Sequence, residues 1–167
     1  MKTTDHRRTA ERGSQIAELA IVLPLLAFLA FVVSEGAGII RAHQVINNAA
    51  REGARLSSVS SEISINAVKT AAADYACFNG VKLVGGSRSA CSATTFNVVC
   101  GTTGSDISVF QNFVVTTESG VSAMSSRVAV TCSYPLTYLP GISFPSLGIS
   151  VPNHIPLKAT ATFGNLY

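Results

Sequence analysis

The sequence predicts an α+β protein. A long N-terminal helix able to span a membrane continues into an amphipathic helix, and a small domain follows with a second helix and an antiparallel sheet of about four strands. Three observations carry that expectation. Residues 19–33 contain no charged side chain, and Glu35 is the only ionisable residue in the 22 positions 19–40. Polar and small apolar residues then alternate at helical spacing as far as Ser58. From Thr94 onward, short runs of Val, Ile, Phe and Thr are broken by Gly- and Ser-rich turns.

The first element is prepared by a basic tail. Residues 1–13 hold Lys2, Arg7, Arg8 and Arg12 against Asp5 and Glu11, a net +2 out of the chain's +3. Basic residues beside a membrane helix favour the cytoplasmic side, so everything after Ile40 is expected outside the cytoplasmic membrane. As a helix, residues 19–40 extend roughly 33 Å, enough for a hydrocarbon layer of about 30 Å. The competing reading is a secretory signal peptide cut near Gly36 or Gly38. The apolar run is long for a signal, and Glu35 among glycines makes an indifferent cleavage site, so an uncleaved anchor is favoured. Pro24 removes one backbone donor inside the run, and a kink or local loosening is expected there.

Gly13, four residues and then Glu18, directly ahead of an apolar run, resembles the type IV prepilin pattern. The resemblance implies that a membrane prepilin peptidase cuts between Gly13 and Ser14, leaving Glu18 as the fifth residue of the mature chain. A carboxylate at the edge of hydrocarbon is costly unless partnered, and the new α-amine of a neighbouring subunit is a suitable partner. In the alternative reading, Glu18 lies at headgroup level and snorkels there. The prediction divides the chain into a leader (1–13), a transmembrane and amphipathic helix (14–58) and an exported head (59–167).

Beyond Ile40, Arg41, Gln44, Asn48, Arg51 and Arg55 form one polar helical stripe, and Ala42, Ile46, Ala49, Gly53 and Leu56 form the opposite one. Three of those five apolar positions are Ala or Gly, which permits close approach of another element. Gly53 costs about 1 kcal/mol in a helix interior and weakens the expected continuity there. His43 on this helix reads as solvated or packed.

Residues 17–58 resemble the TadE-like family of pseudopilins. Four features carry the likeness: Glu18, Leu23-Pro24, Glu35 near the end of the apolar run, and the segment Asn48, Ala49, Ala50, Arg51, Glu52, Gly53, Ala54, Arg55. The last is the most specific. The family's proteins serve tight-adherence (Tad, or Flp) pilus systems as minor pilins. The resemblance implies assembly partners among other pilins, the Tad machinery and the prepilin peptidase, with one pass through the bacterial inner membrane and a periplasmic domain.

A second helix is expected over 61–76, capped by Ser60 or Ser61, with Glu62 in its first turn and Val68, Ala71, Ala72 and Tyr75 on one face. Residues 78–80 end it, and 85–92 form a loop. Strands are expected at 94–100, 107–117, 127–134 and 158–163, packed as an antiparallel sheet on the helix. Residues 134–156 hold five of the six prolines and read as a loop. The order of segments over 127–163 loosely resembles the TadE-like C-terminal end; residues 59–126 show no such likeness.

Four cysteines, Cys77, Cys91, Cys100 and Cys132, all lie on the side expected outside. An even count in an oxidising compartment points to two disulfides. Three connectivities are open, of which Cys77–Cys91 with Cys100–Cys132 is the favoured guess. Zinc is the rival reading, but no Cys-x-x-Cys pair exists and no His lies near in sequence.

Other chemistry is sparse. With 13% charged residues and no Trp, the composition suits an exported, anchored protein. His43, His154, Asp74, Asp106 and Glu118 are isolated, so no catalytic constellation can be assembled from spacing, and neither an enzyme nor a cofactor is expected. Gly85-Gly86 follows no phosphate-loop pattern. No basic patch interleaved with aromatics suggests nucleic acid. The lipid bilayer is the partner that composition itself implies.

Overall fold

A computed structural model describes residues 5–60, 62–83, 98–100, 107–116, 120, 122–138, 141, 143–144 and 148–166, with 5–17 as backbone alone. The expected loop 85–92, Cys91, the first four residues of the expected strand 94–100 and the turn 101–106 lie outside the described residues.

Helix α1 (Asp5–Val59) is one 55-residue helix that continues through both Pro24 and Gly53. Its last carbonyls find partners elsewhere in the chain. The Ser126 hydroxyl donates to the Ser57 carbonyl at 3.3 Å, and the Leu166 amide donates to the Ser58 carbonyl at 3.1 Å. These bonds satisfy groups that a helix end leaves open.

Helix α2 (Ile65–Phe78) begins later than the sequence suggests. Ser64, rather than Ser60 or Ser61, is the N-cap, its hydroxyl accepting from the Ala67 amide at 3.2 Å. Glu62 precedes the helix, where its amide donates to the Ser60 hydroxyl at 3.2 Å. Nearby serines compete for the same capping role, and the one whose geometry reaches an orphan amide sets the boundary. The helix also runs past Ala76 to Phe78, and Gly80 at φ 82° turns the chain out of it.

The strands are β1 (Val81–Lys82), β2 (Val98–Val99), β3 (Ile107–Thr116), β4 (Ser122–Pro135), β5 (Ser143–Phe144), β6 (Ile149–Ser150) and β7 (His154–Gly164). The main sheet has three strands in the order β3-β4-β7, both pairs antiparallel. The expected fourth strand is not part of it: Val98 and Val99 instead pair in parallel with Val81 and Lys82. Strand β4 begins at Ser122, inside what composition marks as a turn. Its register with β3, from Thr116 opposite Ser122 to Ile107 opposite Val130, supplies backbone partners whatever the side chains. Strand β7 likewise begins at His154, and β5 pairs with β6 inside the proline-rich stretch expected to be loop. The β3–β4 register shifts between Phe110 and Phe113, where Asn112 takes φ 55° and its side-chain carbonyl accepts from the Asn165 amide group at 2.8 Å.

The second half of α1 and the inner face of α2 cover one side of this sheet. Ala42, Ile46, Ala49, Ala50 and Ala54 of α1 join Val68, Ala72 and Ala76 of α2 and the strand residues Val128, Val130, Leu157, Ala159 and Ala161 in one buried cluster. Period-two alternation along β4 places Val128, Val130, Cys132 and Tyr134 on the covered side. Gly53 marks a close approach: a Cβ there would sit 3.3 Å from the Ala72 Cβ and 3.4 Å from a Val128 methyl. The small side chains let helix and sheet backbones come close together.

Candidate functional site

Among the described residues, the apolar stretch of α1 from Leu19 to Leu29 is exposed throughout. Leu19, Ile21, Leu25, Leu26, Phe28 and Leu29 are all exposed. It is the one described helix long and apolar enough to cross a membrane. Glu18, at its start, is exposed, as are the ring of Pro24 and the apolar side chains around it. Gly13 and Ser14 lie on the helical backbone of α1.

The helix meets the head at Glu35. This carboxylate is 4% exposed, although its sequence neighbours Ser34 and Ala37 are open. The Thr137 amide donates to both carboxylate oxygens, at 3.2 and 3.1 Å, and the Tyr138 amide donates to one of them at 2.8 Å. Two successive amides just beyond β4 thus cradle an acid carried by the membrane-type helix. A charged acceptor makes such bonds short and strong, and without them a buried carboxylate is costly.

Two aromatic contacts flank this pin. One helical turn before Glu35, the Phe31 ring stacks on Tyr138 with centroids 5.8 Å apart and 23° between planes. Nearly one turn after it, Gly38 lies against the Tyr134 hydroxyl, where a Cβ would overlap the oxygen. Tyr134 is buried, and burial together with the nearby Glu35 carboxylate and Tyr138 holds its phenol above the ordinary tyrosine range. It therefore remains a neutral hydroxyl through physiological pH.

This geometry gives a specific expectation. Gly38→Ala should loosen the junction, because a rigid tyrosine ring cannot move its hydroxyl away cheaply. Tyr134→Phe should relieve that cost, since the next atom, the ring carbon Cζ, stands at 3.6 Å from the added Cβ. Thermal unfolding of the two single variants and the double variant checks this. A double variant no more stable than Gly38→Ala would show that the overlap is not the cause.

The segment 48–55 separates into two roles. Ala49, Ala50, Gly53 and Ala54 are buried against α2 and β4, whereas Asn48, Arg51 and Arg55 are exposed and Glu52 is partly so. Arg55 donates to Glu52 at 2.9 and 3.2 Å. That bond lowers the Glu52 pKa, mainly through the hydrogen bond itself. A surface pair three residues apart contributes only tenths of a kcal/mol.

Cys100 and Cys132 form a disulfide, fastening the residue after β2 to the C-terminal part of β4. Cys77 is also disulfide-bonded; its expected partner, Cys91, lies outside the described residues. Among the described residues no group of three or more His, Cys, Asp or Glu side chains gathers in a metal-binding arrangement.

Sequence reasoning singled out Glu35 but not the groups that hold it. Thr137 and Tyr138 act through backbone amides, which leave no residue-type signature. The available signal was the acid itself: a lone carboxylate near the end of an apolar run needs donors from somewhere.

Residues 13–55 match the family model for TadE-like proteins. The matched stretch opens at Gly13, contains Glu18, Pro24 and Glu35, and closes at Arg55; the looser likeness over 127–163 lies outside it. No curated protein and no solved structure matches the chain.

Proposed function

We propose that the chain is a minor pilin or pseudopilin of a tight-adherence pilus, held in the membrane by α1 and acting through assembly rather than catalysis. The observation that carries this is the TadE-like match from Gly13 to Arg55, which spans the exposed apolar half of α1 and the segment that docks α1 on its head. In this function the prepilin peptidase removes residues 1–13 and the basic leader stays in the cytoplasm. The head then stands outside the membrane, where its disulfides persist. Exposed Glu18 docks on the α-amine of a neighbouring subunit, a charge pair that low-dielectric surroundings strengthen.

The N-terminus of protein purified from its own host, with and without the prepilin peptidase, tests the pathway. The expected chain starts at Ser14 only when the peptidase is present. A chain starting at Met1 in both cases would instead make this an unprocessed, single-pass anchored domain that binds an envelope ligand or protein. Glu18→Ala is expected to leave membrane insertion intact and to reduce recovery with pilus components; unchanged recovery would remove Glu18 from the assembly step.

A further inference from the structure

We infer that the turn after β4, at Thr137 and Tyr138, is a second membrane contact that seats the head in the outer lipid interface. The inference rests on α1 being a membrane anchor and adds to it where the head must lie.

The argument is one of level along the helix. With the start of the apolar run at the inner edge of the hydrocarbon, Phe31 lies roughly 18 Å and Glu35 roughly 24 Å further out, at about 1.5 Å per residue. The hydrocarbon layer is about 30 Å thick. Yet Phe31 already stacks on Tyr138, and Glu35 already holds the Thr137 and Tyr138 amides. The head therefore grips the helix before the helix has left the lipid. Sliding α1 outward by the missing distance, about 6 Å for Glu35, would draw Glu18 inside the hydrocarbon edge, at a cost of up to a few kcal/mol for a charge not yet paired with a neighbouring subunit. The turn at 137–138 must go down to the lipid instead.

The side chains at that level suit the outer interface. Tyr138 is 54% exposed and Phe31 50% exposed, so the stacked pair is left half open. Tyrosine, with an apolar ring and a polar tip, is enriched at membrane boundaries. The one ionisable group in the helix at this depth, Glu35, is shielded by three hydrogen bonds from the turn. A carboxylate supplied with donors by the head can sit at the lipid boundary; a bare one would force the helix outward.

The chain has no tryptophan, so single-Trp variants of the full-length protein report depth directly. The variants are Tyr138→Trp and Thr137→Trp at the turn, Leu26→Trp in the middle of the apolar run, and Leu166→Trp, exposed beside the far end of α1. Each is reconstituted in vesicles of phosphatidylethanolamine and phosphatidylglycerol doped with phosphatidylcholine brominated near either end of its acyl chain. Trp at 138 or 137 is expected to be quenched several-fold more than Trp at 166, and best by bromines near the glycerol end. Trp at 26 is expected to respond best to the deep bromines. Quenching at 26 with none above the 166 level at either 137 or 138 would overturn the interface contact while leaving the anchor in place. No quenching at 26 would overturn the anchor, and the contact with it.

Discussion

Glu35→Ala is expected to destabilise the head by about 3 kcal/mol, since it orphans two backbone donors that are now bonded to a charged acceptor. The Thr137 and Tyr138 amides, held at 2.8–3.2 Å by the carboxylate, would lose the buried acceptor they now share. The loss is expected to be local first. Hydrogen exchange at those two amides should rise by orders of magnitude, while amides in the β4–β7 ladder change only by the global loss of stability. Glu35→Gln keeps one neutral acceptor and should cost roughly half as much, because hydrogen bonds to neutral groups are about half as strong. Thermal unfolding in detergent gives the global figure and hydrogen exchange the local one. Unchanged protection of both amides in Glu35→Ala would show that the turn is held by its packing on Phe31 rather than by the carboxylate.

Removing the buried disulfide is the second large effect. Cys100 and Cys132 are almost fully buried and separated by 32 residues in sequence. Closing a loop of that size restricts the unfolded chain by about 4 kcal/mol on the chain-entropy account. Cys100→Ala with Cys132→Ala should therefore lose about that much, with alanine chosen so that no hydroxyl is buried unpaired. The geometry predicts where the damage falls. The small β1–β2 pair is joined to the main sheet through Cys100, whose amide also donates to the Lys82 carbonyl at 3.0 Å. Chemical denaturation with and without reductant checks the magnitude: the double variant should be insensitive to reductant at this bond, and the parent should fall toward it. A loss below about 1 kcal/mol would mean that the unfolded chain is already compact around this loop.

Several elements were legible because a local pattern is enough to set them. An apolar stretch of that length has few structures open to it, since backbone groups in lipid must be satisfied within one segment, and the helix provides that. The cores of β4 and β7 show period-two alternation over enough residues to stand out. Other features depend on partners distant in sequence. Two-residue strands such as Val81–Lys82 and Val98–Val99 carry no period at all, and only their mutual pairing makes them strands. Ser122 to Ser126 reads as a turn by composition and becomes strand because β3 pairs with Ser122–Ser125 and β7 with Ser125 and Ser126.

By itself, the sequence determined that a long apolar helix lies near the N-terminus, that TadE-like features run through it and on to Arg55, that four cysteines lie after it, and that Glu35 is the solitary acid in an apolar run. Those properties are fixed by residue type and spacing along a single helix or strand. The tertiary structure decided what that acid does. The donors that satisfy Glu35 come from residues 102 and 103 positions away, and the glycine that admits the Tyr134 hydroxyl is meaningful only once β4 lies against α1. A carboxylate states its need for partners in the sequence, but which amides meet it depends on two surfaces packing at one register, and only the folded chain sets that register.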